Sequence, residues 1–211
     1  EKDLAFTYGQ LGCCHRNLEN YEEAIKYLML SKEEGRNDVW TNLELAMCYE
    51  NLEDYEKALE YALVAYELDK DDIGAISEVA TIYDNLENYE EALPFLLRAE
   101  ELGRNDEWIN TEIALNLGRS GKTHEALERL EKSLTLVDED RININSEIAW
   151  NYGRLEEPHP EEALKYLNIA KELGREDAWI YSQIGYQLGY NLETRKEALE
   201  HFEKALELGQ N

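Results

Sequence analysis

Proline is scarce in this chain, with three in 211 residues, and so are methionine (two), phenylalanine (three) and cysteine (three). Few prolines leave long stretches free to be helical. An odd cysteine count with Cys13 and Cys14 adjacent excludes a disulfide framework and offers no CxxC metal pair, so reduced thiols and a cytoplasmic setting are expected. No apolar run approaches the 18 residues a membrane helix needs. Positive charge is short as well: 21 basic residues face 47 acidic ones, a net charge of -26. Such a surface repels phosphate backbones and anionic headgroups, which disfavours nucleic acid and membranes as partners. It suits basic protein segments, although glutamates that merely solvate exposed helix faces would give the same total. The chain opens Glu1-Lys2-Asp3 without methionine, and we expect a piece of a longer protein.

What is present is repetition. Asn17 to Ala24 reads NLENYEEA, Asn51 to Ala58 reads NLEDYEKA, and Asn85 to Ala92 reads NLENYEEA again. Ala24, Ala58, Ala92 and Ala126 follow one another at a step of 34; Ala163 and Ala198 follow at 37 and 35. The extra residues fall partly in Glu156-Glu157-Pro158-His159-Pro160, which reads as a stiffened loop. A fixed period in this range marks an array in which each unit buries its apolar face against its neighbours.

Aligning the units gives columns: Leu11, Leu45, Val79, Ile113, Ile148, Ile184, beside the small residues Gly12, Ala46, Ala80, Ala114, Ala149, Gly185. Steps of three and four within each stretch place the column residues on one helical face. Asp38, Asp72, Asp106, Asp140 and Asp177 stand where they would cap the next helix, and Gly35, Gly103, Gly174 and Gly209 where a left-handed helix end is needed. Pro94 falls inside a helical stretch and predicts a mild kink.

On these residues the chain resembles the tetratricopeptide repeat family. The family phrase is met by Tyr8, Leu11, Gly12, Ala24 and Leu28 in the first unit, by Leu45, Ala46, Tyr49 and Ala58 in the second, and by Val79, Ala80, Tyr83 and Ala92 in the third. His15 replaces a tyrosine, and Asn42, Asn110 and Asn145 stand where the family prefers tryptophan. The resemblance implies an all-α, right-handed α-solenoid of about six helix-turn-helix repeats, a single array over 1–211 with units 1–38, 39–72, 73–106, 107–140, 141–177 and 178–211. Leu199 and Leu206 are left on the face where another repeat would stack, so a continuing chain or self-association through this end is expected.

The resemblance also implies that first helices line a concave groove whose non-core residues meet a protein or peptide. Three groups occupy those columns. One is aromatic: Trp40, Trp108 and Trp179, with Met47, Trp150 and Tyr186; they serve equally as binding anchors or as junction packing. The second is a carboxylate row, Glu44, Glu78, Glu112 and Glu147, able to hold a basic segment or simply to face solvent. The third is Asn17, Asn51 and Asn85, continued by Arg119 and Arg154: amides for a peptide backbone, or asparagines tolerated in left-handed geometry at a helix end. The chaperone-binding members of the family grip a peptide's carboxylates from these columns with basic and amide side chains. Phe6, Trp40, Gly74, Gln10, Glu44 and Glu78 stand there instead, so a carboxylate clamp is not expected.

No nucleophile elbow, phosphate loop or paired-histidine motif occurs, and no carboxylate looks buried enough to have a raised pKa. The expectation is a non-enzymatic scaffold without cofactor or metal that favours basic or aromatic-containing segments. The alternative is a regulatory, peptide-sensing segment of a larger multidomain protein.

Overall fold

In the computed structural model, residues 2–135 and 141–209 are described, and among them there are twelve α-helices and no strand. The chain divides into two compact bodies, Glu1–Arg104 and Asn105–Asn211. The first holds α1 (Lys2–Asn17), α2 (Tyr21–Glu33), α3 (Val39–Asn51), α4 (Tyr55–Leu68), α5 (Ile73–Asn85) and α6 (Tyr89–Glu101). The second holds α7 (Glu107–Arg119), α8 (Thr123–Leu134), α9 (Arg141–Gly153), α10 (Pro160–Glu172), α11 (Ala178–Leu188) and α12 (Arg195–Gly209). Each body is a solenoid of helix pairs: α1 packs on α2, α3 on α4, α5 on α6, and likewise from α7 to α12.

The expected columns form the core. Leu45, Val79, Ile113 and Ile148 are fully buried, whereas Leu11, on the first described helix, is exposed. Each buried aliphatic side chain contributes roughly 2 kcal/mol. Small residues set how closely paired helices approach: a Cβ on Gly12 would lie 2.5 Å from Leu28 Cγ and 3.1 Å from the Ala24 carbonyl oxygen. Within the helix pairs, rings stack across the two helices, Tyr49 on Tyr61 at 5.5 Å and Tyr152 on Tyr166 at 5.8 Å. His15 takes the tyrosine's place in the first pair, 5.2 Å from the Tyr27 ring and nearly parallel to it.

The helix ends follow local chemistry. Asp38, Asp72, Asp106 and Asp177 accept hydrogen bonds from the backbone N–H of Thr41, Ala75, Ile109 and Ile180, at 2.8 to 3.0 Å. Asp140 lies outside the described residues. Gly35, Gly103 and Gly174 adopt positive φ between repeats, and the N–H of the residue after each bonds back across a six-residue turn, as Arg36 does to Ser31.

The same closure ends the first helix of each of the first three repeats, but there a glutamate supplies the left-handed residue. Glu19, Glu53 and Glu87 have φ near 60°, and Asn20, Asp54 and Asn88 donate to the carbonyls of His15, Tyr49 and Tyr83. The left-handed role foreseen for Asn17, Asn51 and Asn85 thus belongs two residues downstream, because these asparagines are still helical. Gly121 occupies the corresponding place in the fourth repeat. Gly209 closes α12 without a left-handed φ, contrary to expectation. Helix α6 runs unbroken through Pro94, and Pro160 stands at the start of α10, where its missing N–H costs nothing.

Candidate functional site

In the first body, the exposed edges of α1, α3 and α5 gather the polar residues that the core columns leave over. Arg16, near the end of α1, grips Glu44 of α3 with Nε at 2.7 Å from Oε2 and Nη2 at 3.4 Å from Oε1. Glu44 is therefore buried but neutralised. One repeat on, Glu78 of α5 is 9% exposed, and its Oε1 has no hydrogen-bond partner. Burial, reinforced by the charge of Glu50 and only partly offset by Arg16, pushes its carboxyl up to about 7. Glu50 of α3 is also raised, chiefly by burial, while the Asn85 amide donates to it at 2.9 Å. Sequence reading foresaw no perturbed carboxylate, and here there are two on one face. The reason is that a row one residue off the core columns is covered by its neighbours in the stack.

The remaining candidates of this body are more self-contained. The Asn51 amide turns back to the Met47 carbonyl at 2.8 Å, and Met47 is half-buried. Trp40 is covered by the Arg36 guanidinium, 4.4 Å from the ring centre, and Arg36 is itself paired with Asp38 at 2.8 Å. The ring lies so close to α1 that a Cβ on Gly9 would come within 3.1 Å of it. The recurrent glycine-arginine-x-aspartate-x-tryptophan phrase is thus a device that seals a junction: the aspartate caps the helix, and the arginine bridges aspartate and indole. Arg175 repeats it in the second body, 4.1 Å over Trp179 and 3.0 Å from Asp177.

On α7, Trp108 and Glu112 are half-buried and Arg119 is exposed. The Glu147 carboxyl on α9 is raised by burial, with the charges of Arg119 and Arg175 opposing the shift. Further along α9 and α11, the structure brings together two residues of the aromatic group and one of the asparagine–arginine group. Trp150, Arg154 and Tyr186 share a pocket of about 250 Å³ with Gly153, Gln183 and Gln187. Both aromatic rings are exposed, 38% and 52% accessible, as is Arg154. Arg154 lies 5.5 Å over the Trp150 ring and has no ion-pair partner among the described residues.

Arg16, Glu50, Gly153, Gln183 and Gln187 were not foreseen. For Gln187 a signal existed. Its column, three residues after the aliphatic one, reads Cys14, Cys48, Ile82 and then Asn116, Asn151, Gln187. From Cys48 onward the position is buried, polar side chains replace apolar ones there, and each of the three amides keeps an oxygen without a partner. Among the described residues, no cluster of histidine, cysteine and carboxylate could hold a metal, and no helix is long and apolar enough to cross a membrane.

Residues 7–33, 41–72 and 75–106 match the family model described as tetratricopeptide repeat. No curated protein matches the sequence. Among solved structures, YrrB, described as a TPR protein with an unusual peptide-binding site, is 21% identical, with 87% of this chain and 93% of that one covered and a TM-score of 0.67. PilF of Pseudomonas aeruginosa is 22% identical over 94% of this chain and 89% of its own, with a TM-score of 0.71. MamA of Desulfovibrio magneticus is 18% identical over 99% and 96%, with a TM-score of 0.60. At these identities the likeness is one of fold. With three repeats of the family matched in tandem over residues 7–106 and helix pairs recurring to residue 209, the chain is built of tetratricopeptide repeats.

Proposed function

We propose that the chain is a non-enzymatic scaffold that binds a segment of another protein along the exposed edges of its first helices, and that the first body favours basic residues in that segment. The tetratricopeptide fold supports the protein- or peptide-binding role, and the peptide-binding site named for YrrB is in keeping with it. The observation that carries the basic preference is Glu78. A buried carboxylate with an unpartnered oxygen, held up to about 7 for want of a compensating cation, is stabilised by an incoming guanidinium or ammonium group. The net charge of -26 adds long-range attraction for such a segment.

Fluorescence anisotropy with a labelled arginine-rich peptide tests this reading. Binding should weaken steeply as salt rises, because exposed charges are screened within about 8 Å at physiological ionic strength. Glu78→Lys should reduce affinity at least tenfold. Unchanged affinity in that variant, or binding insensitive to salt, would overturn the basic preference.

A further inference from the structure

The pocket between α9 and α11 has a chemistry unlike that of the acidic face, and its size narrows what fits. About 250 Å³ falls below the roughly 300–1,000 Å³ of whole small-molecule sites, so it holds one side chain rather than a cofactor. Its exposed walls are Trp150 and Tyr186, and flat rings of this kind stack on other flat rings. Gln187 lines it, is 3% exposed, and its Oε1 accepts no hydrogen bond. The amide nitrogen of the same residue is pressed against α9, where a Cβ on Gly153 would stand 2.7 Å away. Gly153 therefore keeps the backbone low enough for Gln187 to lie flat, and what the amide leaves over is an acceptor. Leaving such an acceptor unmatched is costly, so an occupant with a polar hydrogen is favoured over one without. Arg154, stacked on Trp150 and without an ion-pair partner among the described residues, adds a cation that attracts the face of an aromatic ring. A nucleobase meets the ring and donor requirements, but its phosphates are repelled by a chain of charge -26.

We propose that this pocket receives the side chain of a tyrosine or tryptophan from a bound protein segment, its ring between Trp150 and Tyr186 and its O–H or N–H donated to Gln187 Oε1. The inference rests on the reading that first-helix edges bind a protein segment, and it assigns to the second body an anchor independent of the acidic residues of the first. Gly153 and Gln187 act together in it: the glycine makes room, and the glutamine selects for the donor.

The test uses the intact chain and two small probes, N-acetyl-tyrosinamide and N-acetyl-phenylalaninamide, which differ by one hydroxyl. Titrations are followed by the NMR signals of the Trp150 indole N–H and the Gln187 side-chain amide. The tyrosine probe should bind roughly fivefold or more tightly than the phenylalanine probe, the discrimination expected when a buried acceptor is left without a donor. Gln187→Leu should bring the two affinities together, and Gly153→Ala should weaken both. Equal affinities in the wild type, or no shift of either signal, would overturn the proposal whatever the variants do. If the arginine-rich peptide still binds the first body under those conditions, the scaffold reading survives and only the pocket's assignment falls. Loss of both would remove both.

Discussion

Replacing Glu78 with glutamine removes a titration that the fold opposes, and the size of the effect follows from the carboxyl's surroundings. The group is 9% exposed, it lacks a partner for one oxygen, and burial is the first cause of its shift from 4.5 to about 7. A raised carboxyl means that the native state holds the proton more tightly than the unfolded chain does. Stability from this group is therefore fully present below pH 4.5 and is lost as pH rises through about 7. The gap of about 2.5 units corresponds to roughly 3 kcal/mol at 1.36 kcal/mol per unit. Between pH 5.5 and 8.5, clear of the isoelectric region near 4.4, about 2 kcal/mol of it should disappear. Glutamine has nearly the same shape and cannot ionise, so titrating groups remote from Glu78 cancel between the two proteins, leaving its own titration and its coupling to Glu50. Urea unfolding of wild type and Glu78→Gln across that range should show the variant's advantage growing by about 2 kcal/mol from the acid to the alkaline end. A gap that stays constant, or that narrows with rising pH, would refute the claim that Glu78 is buried without compensation.

The other expectations rest on different parts of the fold. Glu53→Gly should stabilise by about 0.5–1 kcal/mol in thermal unfolding, since a left-handed φ costs a non-glycine residue about 1–2 kcal/mol and glycine returns part of the gain through the unfolded chain; a lower melting temperature would count against it. Gly12→Ala should destabilise by about 1–3 kcal/mol, because its Cβ would stand 2.5 Å from Leu28 in a sealed helix seam, and an unchanged urea midpoint would show that seam to be slack. Toward a thiol reagent at pH 8, Cys14 should react freely while Cys48, buried with its thiol pushed up to about 12, should react only as the chain unfolds; a third fast-reacting thiol would contradict that burial.

The fold was legible because its determinants are local and repeated. An aspartate at a fixed distance from an alanine, and aliphatic residues three and four apart, say the same thing in every repeat, so a worn copy such as that around Ala126 is carried by its neighbours. Where two residue types compete for one turn, the reading failed. NLEN offers asparagine as the obvious left-handed residue, yet the six-residue closure from Asn20 to His15 sets the helix length and leaves Glu19 at the turning point. A backbone hydrogen bond, not a side-chain preference, selects the residue.

The site was less legible, and for a physical reason. Whether a glutamate on a helix edge is solvated or buried depends on what the next helix lays over it, and that is information between repeats. Glu44 and Glu78 occupy equivalent positions in consecutive repeats, yet one is paired directly with Arg16 while the other meets the charge of Glu50, which Arg16 offsets only in part. The same holds for the amides. Asn116 and Asn151 each spend their N–H on the carbonyl four residues back, Glu112 and Glu147 respectively, at 2.9 Å, which leaves an unpartnered oxygen beneath the helix surface. Gln187, whose longer side chain lines a pocket walled by Trp150 and Tyr186, carries such an oxygen beside a space that a partner's side chain can enter. A column that is buried from Cys48 onward and turns from cysteine and isoleucine to asparagine and glutamine has given up apolar packing at three successive repeats. That loss destabilises the stack unless the polar atoms are matched from outside, which is the thermodynamic argument for a ligand at the last of them.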